Sequence, residues 1–514
     1  MVLFESILII MLAAVLLSAA SRRVGIPYPV VLAVAGTGIA FIPNAPEIAL
    51  DPELVLALFV APILLDAAFD TSVRDLRKRW RTVGSLVVVA VGVTTIAVAA
   101  VARWFLPDLP WAAAVALGAI VAPPDAVAAT AILRRVRPPH RLVVILEGES
   151  LLNDATALLI YRVAVAAMIA GSFSPASALP TFGLVVVGSL VLGALLGSFF
   201  VRFLGRFNDP PSAIILQFIT TFGVWILAEK LHLSGIITIV VYAMVLARTA
   251  PARTSARLRI PSYAVWETTV FVLQTMAFVL VGLQLRPILA DLGPQRSAAY
   301  VGIALAVLAT VIVVRLSWVM AYQIVAKQAG RAVAHSAGEE PPRTSTLSDG
   351  LIIAWCGMRG IVTLAAAYAL PIGFPYRDLI LMCAFVVVVG TLLIQGLTLP
   401  LLLKRLAPVE DRTVEHEFRM ARKLALKAAI ATIGDAPSEV AEAIRREYGA
   451  MLEQTRDGAE FDTAQNRFRR DALAAARDTA LALRRDGTIG DDAFHRLEEE
   501  LDWLELGAAP RAVE

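Results

Sequence analysis

The sequence predicts an all-α polytopic membrane protein that carries a helical cytoplasmic tail. Of its 514 residues, 58% are hydrophobic and only 17% are charged, whereas about 25% of the residues of a typical soluble protein are charged. The mean hydropathy is +0.72, and the apolar residues come in blocks of roughly 20, the number that crosses a bilayer as a helix. Beyond about residue 404 the chain becomes polar and charged while it keeps helical spacing.

Thirteen apolar blocks are predicted to be transmembrane helices. Their approximate limits are 3–20, 26–43, 52–69, 83–105, 111–133, 142–170, 180–204, 212–230, 233–248, 263–285, 298–325, 348–370 and 378–403. The loops provide an independent test, because Lys and Arg collect in cytoplasmic loops. The odd-numbered loops hold twenty of these residues and the even-numbered loops hold four. We therefore expect a multi-pass protein of the cell (inner) membrane, with its N-terminus outside and its C-terminus in the cytoplasm.

Two domains are expected, a transmembrane domain at 1–405 and a cytoplasmic helical domain at 406–514. In the second domain, one side of a helix pair could be lined by Leu483, Phe494, Leu497 and Leu501. This tail could act as a scaffold or dimer contact, or as a regulatory domain, and its sequence is compatible with each role.

Several functional classes lack support in the composition. Cys356 and Cys383 both lie in apolar blocks and suggest neither a disulfide nor a metal site, and the five His residues have no ligand spacing. No nucleophile with a neighbouring base is visible, so an enzyme is not expected and no cofactor is predicted. The net charge of +3 gives no support to nucleic-acid binding.

Spans five and twelve are both interrupted. Pro123 and Pro124 remove two helix donors in the middle of span five, and such unwinding is tolerated only where protein or a cavity supplies other partners. Gly357 and Gly360 flank Arg359 at a similar depth in span twelve. Because the two spans run in opposite directions in the predicted topology, the sequence favours inverted-topology repeats in which two unwound helices cross at a midplane site.

Ionisable residues within the spans are few, and such residues are costly in a membrane and usually functional. The candidates among them are Asp66, Asp125, Glu149, Asp154, Arg315 and Arg359. The two arginines can neutralise only two of the four acids, so not every acid has a partner. Glu149 is expected to pair with an arginine, and Asp125 and Asp154 are the expected remainder.

Span six places its polar residues on two neighbouring helix faces. Glu149 and Asn153 lie one turn apart on one face, and Ser150 and Asp154 lie one turn apart on the next. Oxygen atoms of Asp, Ser and unwound backbone suit a hard cation such as Na⁺. A carboxylate in a low dielectric also favours its protonated form. A site that holds either ion, and moves only when it is neutralised, is that of an antiporter.

The motifs "GESLLNDA", "PPDAVAA", "APILLDAAF" and "GMRGIVTLA" resemble those of the first family of monovalent cation:proton antiporters, the sodium/proton exchangers, and the long hydrophilic tail is similar to that of bacterial members. The resemblance covers roughly residues 1–405. It implies a homodimer that works by an elevator mechanism, with a core domain and a dimerisation domain.

The resemblance also implies an ion-binding set. Asp154 matches the ion-binding Asp of an Asn-Asp pair, and Asp125 matches the Asp that follows the unwound stretch of span five; these two are the expected Na⁺ ligands. Ser150 matches a serine ligand, and Asp66 an acid near the site. The chain departs from many members just before Asp125, where it has two prolines instead of a triplet such as Thr-Asp-Pro.

A structural polar core is implied as well. Glu149 matches a structural acid that pairs with an arginine of the later core helices. Arg315 and Arg359 are the candidates, and Arg315 is favoured. Asn153 completes this group, and relatives with Asp at its position are often electrogenic, so the neutral residue favours an electroneutral cycle.

The expected function is exchange of Na⁺, with Li⁺ as a further candidate, for H⁺, in the service of pH homeostasis. One alternative is K⁺/H⁺ exchange on the same scaffold, since the sequence does not show the size of the site. Another is a cation channel or a pH sensor. A channel would need a continuous polar stripe, whereas the polar residues here form a compact cluster at the midplane.

Overall fold

The structure is a computed structural model that describes residues 2–42, 52–133, 138–171, 175–204, 206–207, 209–337, 347–406, 413–434, 438–457, 464–486 and 488–508. All regular elements in these ranges are helical, which confirms the predicted all-α class for this part of the chain. The chain divides into two compact units, Met1–Glu410 and Asp411–Glu514. The predicted domain boundary at 405–406 adjoins residues 407–412, which lie outside the described ranges.

The first unit contains nineteen α-helices in its described residues. They are α1 Val2–Val24, α2 Tyr28–Ala40, α3 Pro52–Val55, α4 Ala61–Asp70, α5 Val73–Lys78, α6 Trp80–Gly84, α7 Val91–Phe105, α8 Trp111–Val121, α9 Ala126–Leu133, α10 His140–Ala170, α11 Pro175–Leu204, α12 Pro210–Lys230, α13 Gly235–Thr249, α14 Ala256–Leu283, α15 Leu285–Ala337, α16 Leu347–Trp355, α17 Ile361–Tyr368, α18 Arg377–Thr391 and α19 Leu397–Leu406. Three π-helical turns join helices into longer rods, α3 to α4 at Leu56–Val60, α6 to α7 at Ser85–Ala90 and α18 to α19 at Leu392–Gly396.

Seven helical segments in the described ranges are long and apolar enough to cross a membrane. They are Trp80–Phe105, His140–Ala170, Pro180–Phe203, Pro210–Lys230, Ala256–Ala290, Ala298–Gln328 and Arg377–Leu406, and α2, α8 and α13 are shorter apolar helices. The total of thirteen crossings, the inverted repeat and the orientation stay predictions. Arg134, Arg135, Arg137 and Arg343, which contribute to the predicted charge asymmetry, lie outside the described residues.

α10 is a single uninterrupted crossing of 31 residues, and its ends follow from local sequence. It starts directly after Pro139, whose backbone is extended, and it stops at Gly171, whose φ of 69° is left-handed. Glycine tolerates this conformation because it has no Cβ, so it commonly terminates helices. All the polar residues predicted on span six therefore stand on one continuous helix of 31 residues.

Two hydrophobic cores flank α10. The larger core draws its buried side chains from α1, α2, α7–α9 and α14–α19, and the second from α4, α11–α13 and part of α14. α10 contributes Ile145 and Leu146 to the first core, and Leu151 and Ala155 to the second. The helix that carries Asp154 thus runs along the junction of the two cores.

The close crossing of α2 and α14 depends on two glycines. A Cβ on Gly36 would collide with the Val279 carbonyl, and one on Gly282 would collide with the Ala33 carbonyl. Small residues allow such backbone contact between membrane helices. Gly38, on another side of α2, would meet no atom within 4 Å.

The second unit contains four helices in its described residues, α20 Thr413–Ile433, α21 Glu439–Asp457, α22 Ala464–Arg485 and α23 Asp491–Ala508. α20 packs on α21, and α22 packs on α23. Leu497 and Leu501 lie between the last two helices, where Leu473 and Ala476 meet them from α22. Of the other residues predicted for this pair, Phe494 is buried and Leu483 is half-buried.

The α2–α14 crossing generates a stability prediction. We expect Gly36→Ala to lower the free energy of unfolding by about 1–3 kcal/mol, because the added methyl forces two backbones apart. Gly38→Ala is the matched control on the same helix and should leave stability unchanged or raise it, since Ala is the better helix former. Thermal unfolding of both variants in detergent measures the difference, and equal midpoints would contradict the role of the crossing.

Candidate functional site

The two interrupted spans are broken helices in the structure. α8 and α9 are the halves of predicted span five, separated by 122–125, and α16 and α17 are the halves of predicted span twelve, separated by 356–360. Pro123 and Pro124 lie in the first gap and are buried. Each break frees backbone carbonyls that water cannot solvate in this position, so their partners define the site.

Arg359 supplies partners for the end of α8. Its Nε donates to the Val121 carbonyl at 3.1 Å, and one terminal nitrogen donates to the Ala122 carbonyl at 3.1 Å. The other terminal nitrogen donates to the Gly357 carbonyl. The side chain is 1% exposed. A cation at the C-terminal end of a helix also interacts favourably with the helix dipole.

Arg315 supplies hydrogen-bond partners for the carbonyls at the end of α16. Its Nε donates to the Ala354 carbonyl and one terminal nitrogen to the Ile353 carbonyl, each at 3.1 Å. The two terminal nitrogens also bind the two oxygens of Glu149, at 2.5 and 2.9 Å. The structure thus pairs Glu149 with Arg315, not with Arg359, and the pair is buried.

The two glycines of the second gap are needed for close contacts. A Cβ on Gly357 would collide with the Arg315 side chain, and a Cβ on Gly360 would collide with Oδ2 of Asp125. Any larger residue would therefore displace either the arginine or the carboxylate. Gly357 and Gly360 let charged side chains lie directly against the unwound backbone.

Asp125 joins the two breaks. Its backbone N–H donates to the Met358 carbonyl at 2.6 Å, and its Oδ1 accepts from the Val127 N–H at 2.8 Å, which caps the start of α9. Its other carboxylate oxygen lies against Gly360, the residue that precedes α17. The carboxylate therefore sits between the N-terminal ends of two half-helices, where an anion is stabilised.

Asn153 and Asp154 face the first break from α10. The Asn153 side chain donates to the Pro124 carbonyl at 2.8 Å, while its Oδ1 is buried and has no partner among the described residues. Asp154 is 8% exposed and, within the same ranges, makes no hydrogen bond or ion pair. Its charge interacts with that of Asp125. Ser150, one turn earlier on α10, is half-buried.

Asp66 has a less direct position. It lies on α4, is half-buried and already has an interaction partner. Among the described residues, no three acidic, histidine or cysteine side chains group closely enough to hold a metal ion. A cation bound here would therefore rest on two carboxylates together with neutral oxygens.

Thr391 is a member of this region that the sequence reading omitted. Its hydroxyl accepts from the Arg359 backbone N–H at 3.0 Å and donates to the Val387 carbonyl at 2.7 Å. The threonine is fully buried at the end of α18, just before a π-helical turn. The sequence signal that could have identified Thr391 is its hydroxyl group, which stands in an otherwise apolar stretch.

The chain is similar to known proteins over most of its length. It matches the family model described as "Sodium/hydrogen exchanger, transmembrane" over residues 7–405. It is 30% identical to a protein of Mycobacterium bovis named "uncharacterized Na(+)/H(+) exchanger", an alignment that covers 97% of this chain and 95% of the relative. It is 29% identical to the "sodium, potassium, lithium and rubidium/H(+) antiporter" of Bacillus pumilus, over 94% of this chain and 74% of that protein.

Solved structures share the fold. The structure of the sodium proton antiporter MjNhaP1 from Methanocaldococcus jannaschii at pH 8 superposes with a TM-score of 0.59 at 16% identity, covering 79% of this chain and 99% of that one. An electron-microscopy structure of the same antiporter gives a TM-score of 0.62 at 17% identity, over 79% and 97% of the two chains.

The Glu149–Arg315 pair generates a second prediction. Glu149→Gln should lower the free energy of unfolding by about 3–5 kcal/mol, because it leaves a buried guanidinium without its counter-charge. Glu229→Gln is the control, since Glu229 pairs with Arg162 at 2.7 Å in a bridge whose side chains are 38% and 45% exposed. Exposed pairs contribute only about 0–1 kcal/mol.

Thermal unfolding in detergent and proton flux in proteoliposomes, measured on the same samples, separate the possible roles of Glu149. Activity should fall with stability and not be lost selectively. A Glu149→Gln protein that unfolds like the wild type but no longer binds Na⁺ would make Glu149 an ion ligand instead.

Proposed function

Because the chain belongs to the transmembrane sodium/hydrogen exchanger family, we propose that it exchanges Na⁺ for H⁺ across the cell membrane and that both ions bind at Asp125 and Asp154. The observation that carries the proposal is the state of Asp154, a buried carboxylate that has neither a hydrogen bond nor an ion pair among the described residues. A charge in this position is costly until a cation or a proton neutralises it.

The charges around the breaks support an exchange of one ion for one. Glu149 and Arg315 neutralise each other, while Arg359 is bonded only to backbone within the described ranges. Asp66, which is half-buried on α4 and already has an interaction partner, is left out of this balance. With Asp125 and Asp154, three carboxylates and two guanidiniums leave one negative charge. One Na⁺ or one proton brings the group to neutrality, so a single ion of either kind makes the site ready to cross.

The surroundings of Asp154 suit a Na⁺ ion. The Asn153 Oδ1 is a buried acceptor without a donor among the described residues, Ser150 stands one turn before Asp154, and the carbonyls of the first break have a second lone pair available. These are hard oxygen donors of the kind that bind Na⁺. Asp66 is a candidate for a supporting acid, since α4 packs on α10.

An elevator movement fits the position of α10 between two hydrophobic cores. We propose that the larger core and α10 shift against the helices of the second core, which would expose Asp125 and Asp154 to one side of the membrane at a time. We also propose a homodimer with the N-terminus outside and the C-terminus in the cytoplasm, on the basis of the family and the charge asymmetry of the loops.

K⁺/H⁺ exchange is the second candidate. The printed name of the Bacillus pumilus relative includes sodium, potassium, lithium and rubidium, and the oxygen donors around Asp154 would also suit K⁺. Proton flux into proteoliposomes, driven in turn by Na⁺, Li⁺, K⁺ and Rb⁺ at several pH values, ranks the cations. Flux with K⁺ but not with Na⁺ would replace the proposed substrate while keeping the proposed site.

Substitution of the two carboxylates tests the site. Asp154→Asn and Asp125→Asn should each reduce exchange to the level of empty liposomes, because a neutral amide cannot bind and release a proton. Folding should be retained, since an Asn at 125 can still cap α9 through its oxygen. Asp108→Asn, at an exposed position between α7 and α8, is the control and should exchange normally. Full exchange by Asp154→Asn would contradict the assignment of Asp154 as an ion-binding residue.

The proposed exchange of one Na⁺ for one proton can be tested with a membrane potential. A membrane potential acts with about 2.3 kcal/mol per elementary charge per 100 mV, and a cycle that moves no net charge does not respond to it. The Na⁺ gradient that balances a fixed pH gradient should therefore be the same with and without an imposed potential. Proteoliposomes clamped with K⁺ and valinomycin provide the measurement, once K⁺ itself is shown not to be transported. A balance point that moves by one charge per cycle would defeat the prediction.

A further inference from the structure

The first helix of the tail, α20, has an apolar side that is open to solvent. Phe418, Met420 and Leu424 are large side chains that are 39%, 53% and 61% exposed. Four exposed alanines continue this surface, namely Ala421, Ala425, Ala428 and Ala431. The spacing of three and four residues places these seven residues along one broad side of the helix, which we name the outer face of α20.

The contact with α21 uses a different side of α20. The two helices pack together, and Leu426, Ile430 and Ile433 are half-buried at positions that lie opposite much of the outer face. α20 is therefore apolar on two sides, of which only one is covered by a described helix of its own unit. A lone exposed leucine needs no explanation, whereas a continuous apolar surface marks a binding face.

The charges of α20 indicate what this face would bind. From Phe418 to Ile433 the helix has four basic residues and no acidic residue. Arg419 pairs with Glu415 at 2.7 Å, but Lys423 and Lys427 are exposed and make no ion pair in the described ranges. These two lysines lie one turn apart, directly beside Leu424.

The one acidic residue near the outer face does not change the sign of the free charge there. Glu417 stands at the N-terminal end of the outer face, is half-buried and is already engaged with another residue. The free charge beside the outer face is thus positive. A second copy of the same face would bring lysines towards lysines, and the acid that it offers, Glu417, is already engaged, so the charges disfavour self-association.

The chain length places a bilayer within reach. The segment Arg377–Leu406 is apolar enough to cross a membrane, and its last turn carries Lys404 and Arg405. Seven residue steps lead from Leu406 to Thr413, and an extended chain spans at most about 3.6 Å per step. The connecting chain between Leu406 and Thr413 is therefore at most about 25 Å long when fully extended.

We propose that the outer face of α20 binds an anionic lipid surface, on the side of the membrane where the last crossing ends. Phe418, Met420 and Leu424 enter the interfacial region of the bilayer, and Lys423 and Lys427 extend to lipid phosphates beside it. An apolar stripe with basic residues on its flank is the arrangement by which helices lie in a membrane interface. This inference stands apart from the proposed exchange of ions.

Depth-resolved fluorescence quenching tests the proposal on the full-length protein in vesicles. Leu424→Cys is labelled with a bimane fluorophore, since both native cysteines, Cys356 and Cys383, are buried. The quencher is a lipid with a nitroxide near its headgroup, in vesicles with or without phosphatidylglycerol. Asp478→Cys, at an exposed position on α22, carries the same label as the control.

We expect quenching at 424 and none at 478, and more quenching at 424 when phosphatidylglycerol is present. Lys423→Gln and Lys427→Gln should each lower the ratio of bound to free helix about fivefold in anionic vesicles and leave it unchanged in neutral ones. Quenching at 424 no greater than at 478 would overturn the proposal. So would short distances between spin labels at 424 of two copies, together with the absence of lipid quenching, because a second chain would then cover the face.

Discussion

Inside a membrane no backbone carbonyl can be left without a donor, and this constraint governs the centre of the molecule. The breaks at 122–125 and 356–360 free the ends of α8 and α16, and one arginine serves each end, Arg359 for the first and Arg315 for the second. Each arginine therefore donates hydrogen bonds to the freed backbone carbonyls, and its charge is a further consequence of this role. Their presence then requires Gly357 beside Arg315 and a counter-charge for at least one guanidinium.

As a result, the three carboxylates differ in their hydrogen-bond partners. Glu149 is bonded through both oxygens to Arg315 and is not available to an ion. Asp125 is held at the start of α9 by one oxygen, and Asp154 is held by no hydrogen bond in the described residues. The three acids differ in how firmly they are fixed, and the least fixed of them, Asp154, is one of the two at which we propose that the ions exchange.

Much of this arrangement could be predicted from single residues. Adjacent prolines, glycines around Arg359 and acids in apolar spans each have a direct physical reading, and the helix breaks do lie at those positions. The sequence favoured Arg315 over Arg359 for Glu149 only through the family resemblance, because the choice depends on how distant helices pack. Thr391 and the glycine contact of α2 with α14 were missed for the same reason. The 3.6-residue periodicity of a helical sequence shows which face of the helix is polar. It does not show which other helix that face contacts.

The placement of α10 between two cores has a mechanical consequence. Leu151 and Ala155 meet the second core through apolar contacts, which are non-directional and individually weak. A surface of this kind can slide by exchanging one set of contacts for another, whereas a surface held by hydrogen bonds would have to break them first. In the elevator movement that we propose, the shapes of small hydrocarbon groups would set the resistance to sliding, and a larger side chain at Ala155 would change the speed of that movement.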